Sequence, residues 1–342
     1  MGLKIALITP HKVRCGIATY SEKLISSLAQ QDVDVYVVRL SRFGMKTPEL
    51  LKNLAERIPV DKIDLIHVQH EYGLYQLLEQ QFYLDLKALG KPIITTMHAV
   101  GVRRGIDAGV AESSDRVIVH NEYCSRLFGY TEKTTIIAHG ATSCESDDVV
   151  KSKKSFGIDP RIPIVGYCGF ISLYKGIETL IESMIKVPRT GLLVAGGFHT
   201  EADTPYISGL KQKSFNLLPN RCHWPGYIPD ERLSAAYGAM DIVVYPSRFA
   251  TESGALLMAL SHGKAVLASR IAPFKEKEKL GALMTFKGVK DLSRKIKRLL
   301  KDEMLRKSLE EGARRYCEDN SWGKVAGKHI ELYEEVLNSK KA

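Results

Sequence analysis

The sequence predicts an α/β protein in which two doubly wound parallel sheets form two domains that face an interdomain cleft. Short β-branched runs alternate with longer amphipathic stretches over most of the 342 residues. The alternation breaks at a polar, turn-rich stretch and then begins again. Apolar runs of this kind are buried on both faces, as a parallel sheet covered by helices requires. At roughly 150 residues per domain, a chain of this length also corresponds to two domains.

The first domain is expected over residues 1–145. Each apolar run predicts a strand, and the amphipathic stretch that follows it predicts a helix. The predicted strands lie at 3–9, 33–40, 63–69, 92–98, 116–120 and 134–140, and the predicted helices at 17–31, near 48–57 and near 76–89. Residues 146–163, which contain the polar runs KSKKS and DPRIP, are predicted to be a linker.

The second domain is expected over residues 164–320, where the same alternation returns. Its predicted strands lie at 164–170, 191–197, 222–228, 241–247 and 264–269, and its predicted helices at 176–187, near 203–217, at 230–239 and near 254–262. Residues 321–342 are charged and amphipathic, and they predict a closing helix that packs back on the first domain. Doubly wound sheets bind ligands beyond the carboxyl ends of their strands, so the cleft is the expected site.

Composition and charge narrow the class of protein. Hydrophobic residues make up 44% and charged residues 26% of the chain, which is typical of a globular protein and excludes a disordered or collagen-like chain. Of the net charge of +10, residues 1–145 carry +1 and the remainder +9. A basic half suggests an anionic partner: nucleic acid, a phosphate-bearing metabolite or a membrane surface. The plainer interpretation is a solvated helix face, as at 290–301.

No cofactor, metal or disulfide is indicated by the sequence. Neither a C-x-x-C pair nor any other metal-ligand spacing occurs, so we expect a reduced, cytoplasmic protein without a metal site. Asp32-Val33-Asp34 has the D-x-D spacing of a metal motif, but it lies in a short polar turn and is rejected. No run of 18 apolar residues could span a membrane, and the apolar stretch near Met1 is too short for a signal peptide. The six cysteines are Cys15, Cys124, Cys144, Cys168, Cys222 and Cys317.

Gly16 lies between the first predicted strand and helix, in ITPHKVRCGIATYSEKL. A glycine here lets the backbone approach a phosphate at the helix N-terminus, which carries free N–H groups and partial positive charge. A plain strand–helix connection would look similar. The dinucleotide fingerprint G-x-G-x-x-G is missing, which argues against a dehydrogenase.

Two further loops join a strand to a helix in the second half. Lys175, in GFISLYKGIETLIESM, is placed to neutralise a pyrophosphate, although a solvated lysine is equally compatible with its position. In YPSRFATESGALLMALSHG, Ser253 could cap a helix and donate to a phosphate, and Gly254 allows close contact. Glu252 could accept hydrogen bonds from sugar hydroxyls. The alternative is simple capping by Thr251 or Ser253, with Glu252 complementing the helix dipole.

Three histidines stand at or just past predicted strand ends. His70 lies in VQHEYG, His98 in TTMHAV and His139 in IAHGAT. A single histidine at such a position is usually structural, but three around one expected cleft favour a functional role. His98 is the first choice among them.

The whole chain resembles the retaining nucleotide-sugar glycosyltransferases with two Rossmann-like domains, the GT-B type, and within it the large family 4. The resemblance rests on an ordered series of landmarks over roughly residues 3–270. They are PHKVRCGIATYSEKL, HVQHEYGLY, TTMHAV, IIAHG, GYCGFISLYKGIETLIESM, LLVAGG, PGYIPDERLSAAYGAMDIVVYPS and ESGALLMALSHGKAVLAS. Residues SWGKVAGKHIELYEEVL are similar to the family's closing helix.

The resemblance implies donor binding mainly in the second domain and acceptor binding mainly in the first. By motif position, Lys175 would hold the departing phosphate, Glu252 the donor sugar's hydroxyls, and His98 would lie near the reacting sugar, so these three are the implied catalytic residues. The other implied donor-binding residues are Gly16 at the pyrophosphate, Tyr227 and Ile228 at the nucleobase, and the backbone N–H groups of Ser253, Gly254 and Ala255. His70, Glu71 and Arg103 are the implied acceptor-side residues.

Two departures from the family pattern concern the donor nucleotide. The family's arginine before Lys175 is replaced by Phe170, with Arg14 and Arg248 as candidate substitutes. The second glutamate of the E-x7-E motif, which normally holds the ribose, corresponds to Leu260 or Met258. Neither can accept a hydrogen bond, so recognition of the nucleotide is expected to be altered.

The expected function is transfer of a hexose, with retention of configuration and without a metal, from a UDP- or GDP-linked sugar. The expected acceptor is a sugar, a glycan or a lipid-linked molecule, and a lipid-linked acceptor would bring the protein to the inner membrane surface. A nucleotide-sugar epimerase and a scaffold that has lost turnover are alternatives. Nucleic-acid binding has only the charge in its favour and no motif.

Overall fold

The computed structural model describes residues 2–13, 15–40, 53–75, 78–145, 147–198 and 201–340. The chain forms two compact units. The first unit combines Met1–Gly140 with Asn320–Ala342, and the second is Ala141–Asp319.

The first unit is built on a six-stranded sheet in which every strand pair is parallel. The strands follow the spatial order β2-β1-β3-β4-β5-β6, so the direction of winding reverses between β1 and β3. Their bounds are Lys4–Pro10 (β1), Asp34–Leu40 (β2), Leu65–His70 (β3), Ile93–Met97 (β4), Arg116–Val119 (β5) and Thr134–Ile136 (β6).

Helices cover both faces of this sheet. Their bounds are Gly16–Ala29, Tyr72–Tyr75, Glu79–Lys87, Arg104–Ser113, Glu122–Phe128 and Trp322–Ser339, with short 3₁₀ turns at Val60–Lys62 and Thr131–Lys133. Of the helix predicted near 48–57, residues 53–56 are helical and the rest lies outside the described residues.

The second unit carries another six-stranded, all-parallel sheet. Its order is β12-β11-β10-β7-β8-β9, and the winding reverses between β7 and β10. The two sheets confirm the predicted fold class of doubly wound parallel α/β units. The bounds are Ile164–Cys168 (β7), Gly191–Ala195 (β8), Cys222–Gly226 (β9), Ile242–Tyr245 (β10), Val266–Ser269 (β11) and Met284–Phe286 (β12).

One helix of the second unit falls in the stretch 146–163 that the sequence predicts as a linker. In the helix Val149–Ser155, Asp148 caps the first turn by accepting from the Lys151 N–H, and the buried Lys153 donates to the Asp241 carboxylate at 2.9 Å. The remaining helices are Ile177–Met184, Thr204–Leu217, Leu233–Gly238, Gly254–Ser261, Ala272–Lys279, Gly288–Lys301 and Glu303–Asp319, with 3₁₀ turns at Leu173–Lys175, Glu201–Asp203 and Asp230–Arg232.

The helix Trp322–Ser339 belongs to the first unit, where it packs beside the helix Gly16–Ala29. Both cover the same face of the sheet, over a core that includes Ile5, Leu65 and Tyr333. Gly140 leaves space for this helix, since a Cβ at this position would lie only 2.4 Å from an atom of the Trp322 ring. Among the described helices, none is both long enough and apolar enough to cross a lipid bilayer.

Candidate functional site

The turn that carries Lys175 lies at the point where the second sheet reverses its winding. Lys175 ends the 3₁₀ turn after β7, and its ammonium lies 4.6 Å from the centre of the Tyr174 ring. Gly176 follows with φ +65°, and a Cβ there would come within 2.4 Å of the Pro246 carbonyl oxygen. The Arg248 N–H donates to the Tyr174 carbonyl at 2.8 Å. The loops after β7 and β10 are therefore locked together, and Lys175 is held beside both.

A second helix begins at the same reversal point, after β10. The Ser253 hydroxyl caps the helix Gly254–Ser261 by accepting from the Leu256 N–H at 3.3 Å, which is one of the two roles the sequence left open. Gly254 is exposed, and a Cβ there would meet nothing within 4 Å. Helix N-termini carry partial positive charge and free N–H groups. Two such ends, at Ile177 and Gly254, follow neighbouring strands and favour an anion.

Glu252 forms a buried ion pair that the sequence did not reveal. Lys277 donates to its Oε2 at 2.7 Å, with the two side chains only 3% and 6% exposed. The Ser253 N–H donates to Oε1 at 2.8 Å. Burial alone would lower the pKa of Lys277, but Glu252 and Tyr316 outweigh that effect and raise it above its usual range. The carboxylate therefore meets a permanent ammonium, and Lys277 is a residue of this site.

The residues that depart from the family pattern, and their candidate substitutes, lie in different surroundings. Phe170 is 42% exposed. Of its candidate substitutes, Arg248 forms an ion pair with Glu178, while Arg14 lies outside the described residues. At the place of the second glutamate, Leu260 is fully buried in the core and Met258 packs against that core.

Two exposed aromatic side chains follow strands β8 and β9, which come after β7 in the order of the second sheet. Tyr227, just after β9, is 45% exposed, and Phe198, after β8, is 51% exposed. Gly197 lies between them, and a Cβ there would be 3.3 Å from the Cβ of Tyr227. Ile228, by contrast, is buried in the core of the unit, so only its backbone remains as a potential contact for a nucleobase. Sequence analysis missed Phe198, although its position after two glycines and a strand was a signal.

In the first unit, Gly16 opens the helix that follows β1. Its backbone is exposed, and a Cβ there would meet nothing within 4 Å. No described side chain caps this helix end at Cys15. The protein itself therefore does not require a glycine at this position, and the space beside it is open to a ligand.

His98, just after β4, is held by two side chains of the same unit. Its Nε2 lies 2.8 Å from Gln69 Oε1, and its Nδ1 lies 3.4 Å from His120 Nε2. The Tyr20 ring packs edge-on against it, with ring centres 4.9 Å apart, and also contacts His139. Burial, and then His120 and His139, lower the pKa of His98 well below its usual range.

His70 is completely buried, unlike the other implied acceptor-side residues. Its ring stacks on Tyr75 at 5.1 Å, and neither ring nitrogen has a hydrogen-bond partner among the described residues. Burial lowers the pKa of His70 to about 3, and the Glu79 carboxylate, 3.9 Å away, does not offset this. Glu71 accepts from the Gly73 N–H at 2.8 Å, and Arg103 is exposed at the start of the next helix. His70 is therefore not exposed to an acceptor in this structure, whereas Glu71 and Arg103 remain accessible.

Comparison with known proteins identifies the family. Residues 148–316 match the protein family described as "Glycosyl transferases group 1". The lipopolysaccharide core biosynthesis mannosyltransferase LpsB of Rhizobium meliloti (strain 1021) is 30% identical over 260 residues, which cover 68% of this chain and 71% of that protein. This chain belongs to the group 1 glycosyltransferases.

Other relatives support the same membership over nearly the full length of this glycosyltransferase. MJ1069, a glycosyltransferase of Methanocaldococcus jannaschii, is 23% identical over 92% of this chain and 79% of that protein. The crystal structure of Anabaena Alr3699/HepE in complex with UDP and glucose matches with a TM-score of 0.80 at 16% identity, covering 97% of this chain and 100% of that one. The fold is therefore of the GT-B type. Among the described residues, no three His, Cys, Asp or Glu side chains are grouped as metal ligands.

Replacing Glu252 with alanine is expected to lower the free energy of unfolding by about 3–5 kcal/mol, because Lys277 would be left buried without a counter-charge. Urea unfolding measures this. The double variant Glu252→Gln, Lys277→Met removes both charges and is expected to recover most of the loss. If the single variant lost less than about 1 kcal/mol, the pair would not be the stabilising contact described.

Acid is expected to destabilise the first unit, starting near pH 6.5. Burial lowers the pKa of His70 to about 3 and that of His329 to about 4. As pH falls below 6.5, these histidines therefore bind protons in the unfolded chain before they do so in the folded chain. Each such histidine costs about 1.4 kcal/mol per pH unit as pH falls from 6.5 toward its folded pKa. Urea unfolding between pH 7.5 and 4.5 tests this, and His70→Phe, which keeps an aromatic ring, should flatten the slope. An unchanged slope in that variant would contradict the assignment.

Proposed function

We propose that this glycosyltransferase transfers a hexose, with retention of configuration and without a metal, from a nucleotide-diphosphate sugar to a hydroxyl acceptor. One observation carries the proposal. Lys175 and the N-termini of two helices lie at the winding reversal of the second sheet, where doubly wound folds bind phosphates.

The donor diphosphate is assigned to this reversal point. When the bond between sugar and phosphate breaks, positive charge develops on the sugar and negative charge on the leaving phosphate. Lys175 and the N–H groups of Gly254 and Ala255 would stabilise that phosphate from fixed positions. Gly16, at the start of its own helix, would offer backbone N–H groups to a phosphate. The leaving phosphate would itself take the proton of the acceptor hydroxyl, so the proposal requires no separate base.

The sugar and the nucleobase are assigned to neighbouring residues. Glu252, which is held in place by Lys277 and Ser253, would accept hydrogen bonds from sugar hydroxyls. Tyr227 and Phe198 offer exposed aromatic surface for a base. The Alr3699/HepE structures contain UDP and UDP-glucose, which supports UDP as the first nucleotide to test, with GDP as the alternative.

The acceptor is assigned to the first unit, near Glu71, Arg103 and His98. Arg103 is exposed beside Tyr72, with its guanidinium 6.0 Å from the ring centre, and would suit an anionic acceptor. All six cysteines are free, which supports a cytoplasmic location. A lipid-linked acceptor would bring the enzyme to the inner membrane surface.

Lys175→Ala is expected to weaken binding of the preferred nucleotide diphosphate about 10–100-fold, the cost of one lost charge-assisted contact. Calorimetric titration of UDP, GDP and ADP, each with magnesium and with EDTA, measures this. We expect one nucleotide to bind, with an affinity that EDTA does not change. Lys186→Ala, an exposed lysine beyond the far end of the adjacent helix, is the matched control. Absence of binding to all three nucleotides would favour the scaffold alternative.

Gly16→Ala is expected to weaken the same nucleotide about tenfold, because a methyl group would fill the space beside the helix N–H groups. The free energy of unfolding should change by no more than about 0.5 kcal/mol, since a Cβ there meets no protein atom. Gly109→Ala, which is similarly unhindered but lies within the helix Arg104–Ser113, should leave binding intact. Equal affinity in both variants would remove Gly16 from the donor site.

A further inference from the structure

A chain of buried polar side chains runs through the first unit to His98. It begins on the helix Trp322–Ser339, passes through strands β3 and β4 to the residue just after β5, and ends at a main-chain carbonyl just after β6. In order, its members are Tyr333, His67, Gln69, His98, His120 and the carbonyl of Ile137, with Thr96 beside His67. Apart from His98, which is half-buried, every side chain in it is buried.

The far end of the chain fixes the direction of its hydrogen bonds. A carbonyl oxygen can only accept, so His120 Nδ1, 3.1 Å from the Ile137 oxygen, must carry a hydrogen and donate it. The Nε2 of a neutral His120 is then a bare lone pair. Because His98 Nδ1 faces that lone pair at 3.4 Å, His98 must carry a hydrogen on Nδ1.

The remaining nitrogen of His98 depends on Gln69. In a neutral His98, Nε2 has no hydrogen, so the amide N–H₂ of Gln69 must face it. In a positively charged His98, Nε2 carries a hydrogen, so the amide oxygen must face it, as it does in the structure at 2.8 Å. The amide oxygen and nitrogen are nearly equal in size, and both orientations fill the same space.

The groups that face the second polar atom of the Gln69 amide can pair with it in either orientation of the amide. His67 Nε2 lies 3.2 Å from the Gln69 amide nitrogen and 2.8 Å from the Thr96 hydroxyl, which can donate or accept. On the opposite side of the ring, Nδ1 lies 2.7 Å from the Tyr333 hydroxyl, which can also donate or accept. Every polar atom of the chain is therefore paired in both states. His67 carries its hydrogen on Nε2 when the Gln69 oxygen faces it and on Nδ1 when the Gln69 nitrogen faces it. The two states differ by one added proton, on His98, and by the tautomer of His67.

We propose that Gln69 and His120 are positioning residues that hold His98 as the Nδ1–H tautomer in the resting enzyme. Rotation of the Gln69 amide, together with a change of tautomer at His67, then lets His98 gain one proton without unpairing any member of the chain. The catalytic consequence rests on the proposed function, which places His98 near the reacting sugar. The assignment of the tautomer does not rest on the proposed function.

The surroundings of His98 favour the neutral state when no ligand is present. Around it lie the uncharged Tyr20, His120 and His139, and farther along the chain His67. Burial and these histidines lower the pKa of His98. An anionic group brought next to the ring would favour the charged state, which the chain is built to accept.

Nitrogen-15 NMR of histidine-labelled full-length protein at pH 7.5 tests the resting state, with the His98 signals assigned by their loss in His98→Phe. We expect a hydrogen on Nδ1 and a bare Nε2. A hydrogen on Nε2 alone, or a charged ring, would overturn the proposal. Gln69→Glu supplies a permanent acceptor and should give a charged His98 at the same pH, whereas Gln69→Met should keep it neutral to lower pH than in the wild type. No difference between these two variants would also overturn it.

Activity then separates this inference from the proposed function. Gln69→Met should lower kcat about tenfold, the rate equivalent of one hydrogen bond, while KM for the donor changes little. Thr95→Val is the matched control, because Thr95 bonds to Tyr83 and Ser114 on the other side of the same sheet. It should leave both the NMR signature and the pH profile of kcat unchanged. The expected NMR result with unchanged kcat in Gln69→Met would uphold the tautomer, overturn its catalytic use and count against His98 at the reacting sugar.

Discussion

Close backbone packing at the winding reversal of the second sheet is the constraint on which the candidate site depends. A Cβ on Gly196 would stand 1.9 Å from the carbonyl oxygen of Gly169, and one on Gly169 would stand 2.9 Å from the Cβ of Ala255. These positions admit no side chain. The loops after β7, β8 and β10 can therefore come together, and two helices can start at the same edge with their N–H groups directed toward one region. The phosphate chemistry proposed for this enzyme follows from backbone that glycine alone allows to approach so closely.

The two units accommodate buried ionisable side chains in different ways. The second unit buries an ion pair, Glu252 with Lys277, in which both groups stay charged because each neutralises the other. The first unit buries histidines, and desolvation holds them neutral. The ion pair fixes a carboxylate at the proposed donor site. The histidine chain, by contrast, is uncharged and can change its state by a single proton. The proposed donor site is thus electrostatically rigid, and the proposed acceptor region is adaptable.

The sequence predicted the parts of this fold that local pattern decides. Apolar β-branched runs marked eleven of the twelve strands, and loop residues at their carboxyl ends marked Lys175, Glu252 and Ser253. The strand Met284–Phe286 was missed because three residues are too few to show a period. The helix Val149–Ser155 was missed because its polar run is typical of a linker, and the contact that buries Lys153 is made to Asp241, far along the chain. Lys277 stands in the run KEKEK, which is typical of a solvated face, and only the fold buries it. Gln69 and His120 likewise gain meaning only through the neighbours that the sheet provides.

The two departures from the family pattern have opposite effects on charge. In the resemblance, Phe170 stands where an arginine is usual, and Met258 or Leu260 stands where a second glutamate is usual. One positive and one negative charge are lost together, so the net charge of the matched set is unchanged. Lys175 and the two helix N-termini remain for the diphosphate. The carboxylate that the resemblance implies for the ribose has no counterpart at these two positions, since Leu260 lies in the core and Met258 packs against it. The departures therefore bear on how the nucleoside is recognised more than on how the departing phosphate is stabilised. In the proposed donor site, the exposed rings of Phe170, Phe198 and Tyr227 offer aromatic surface for a nucleoside.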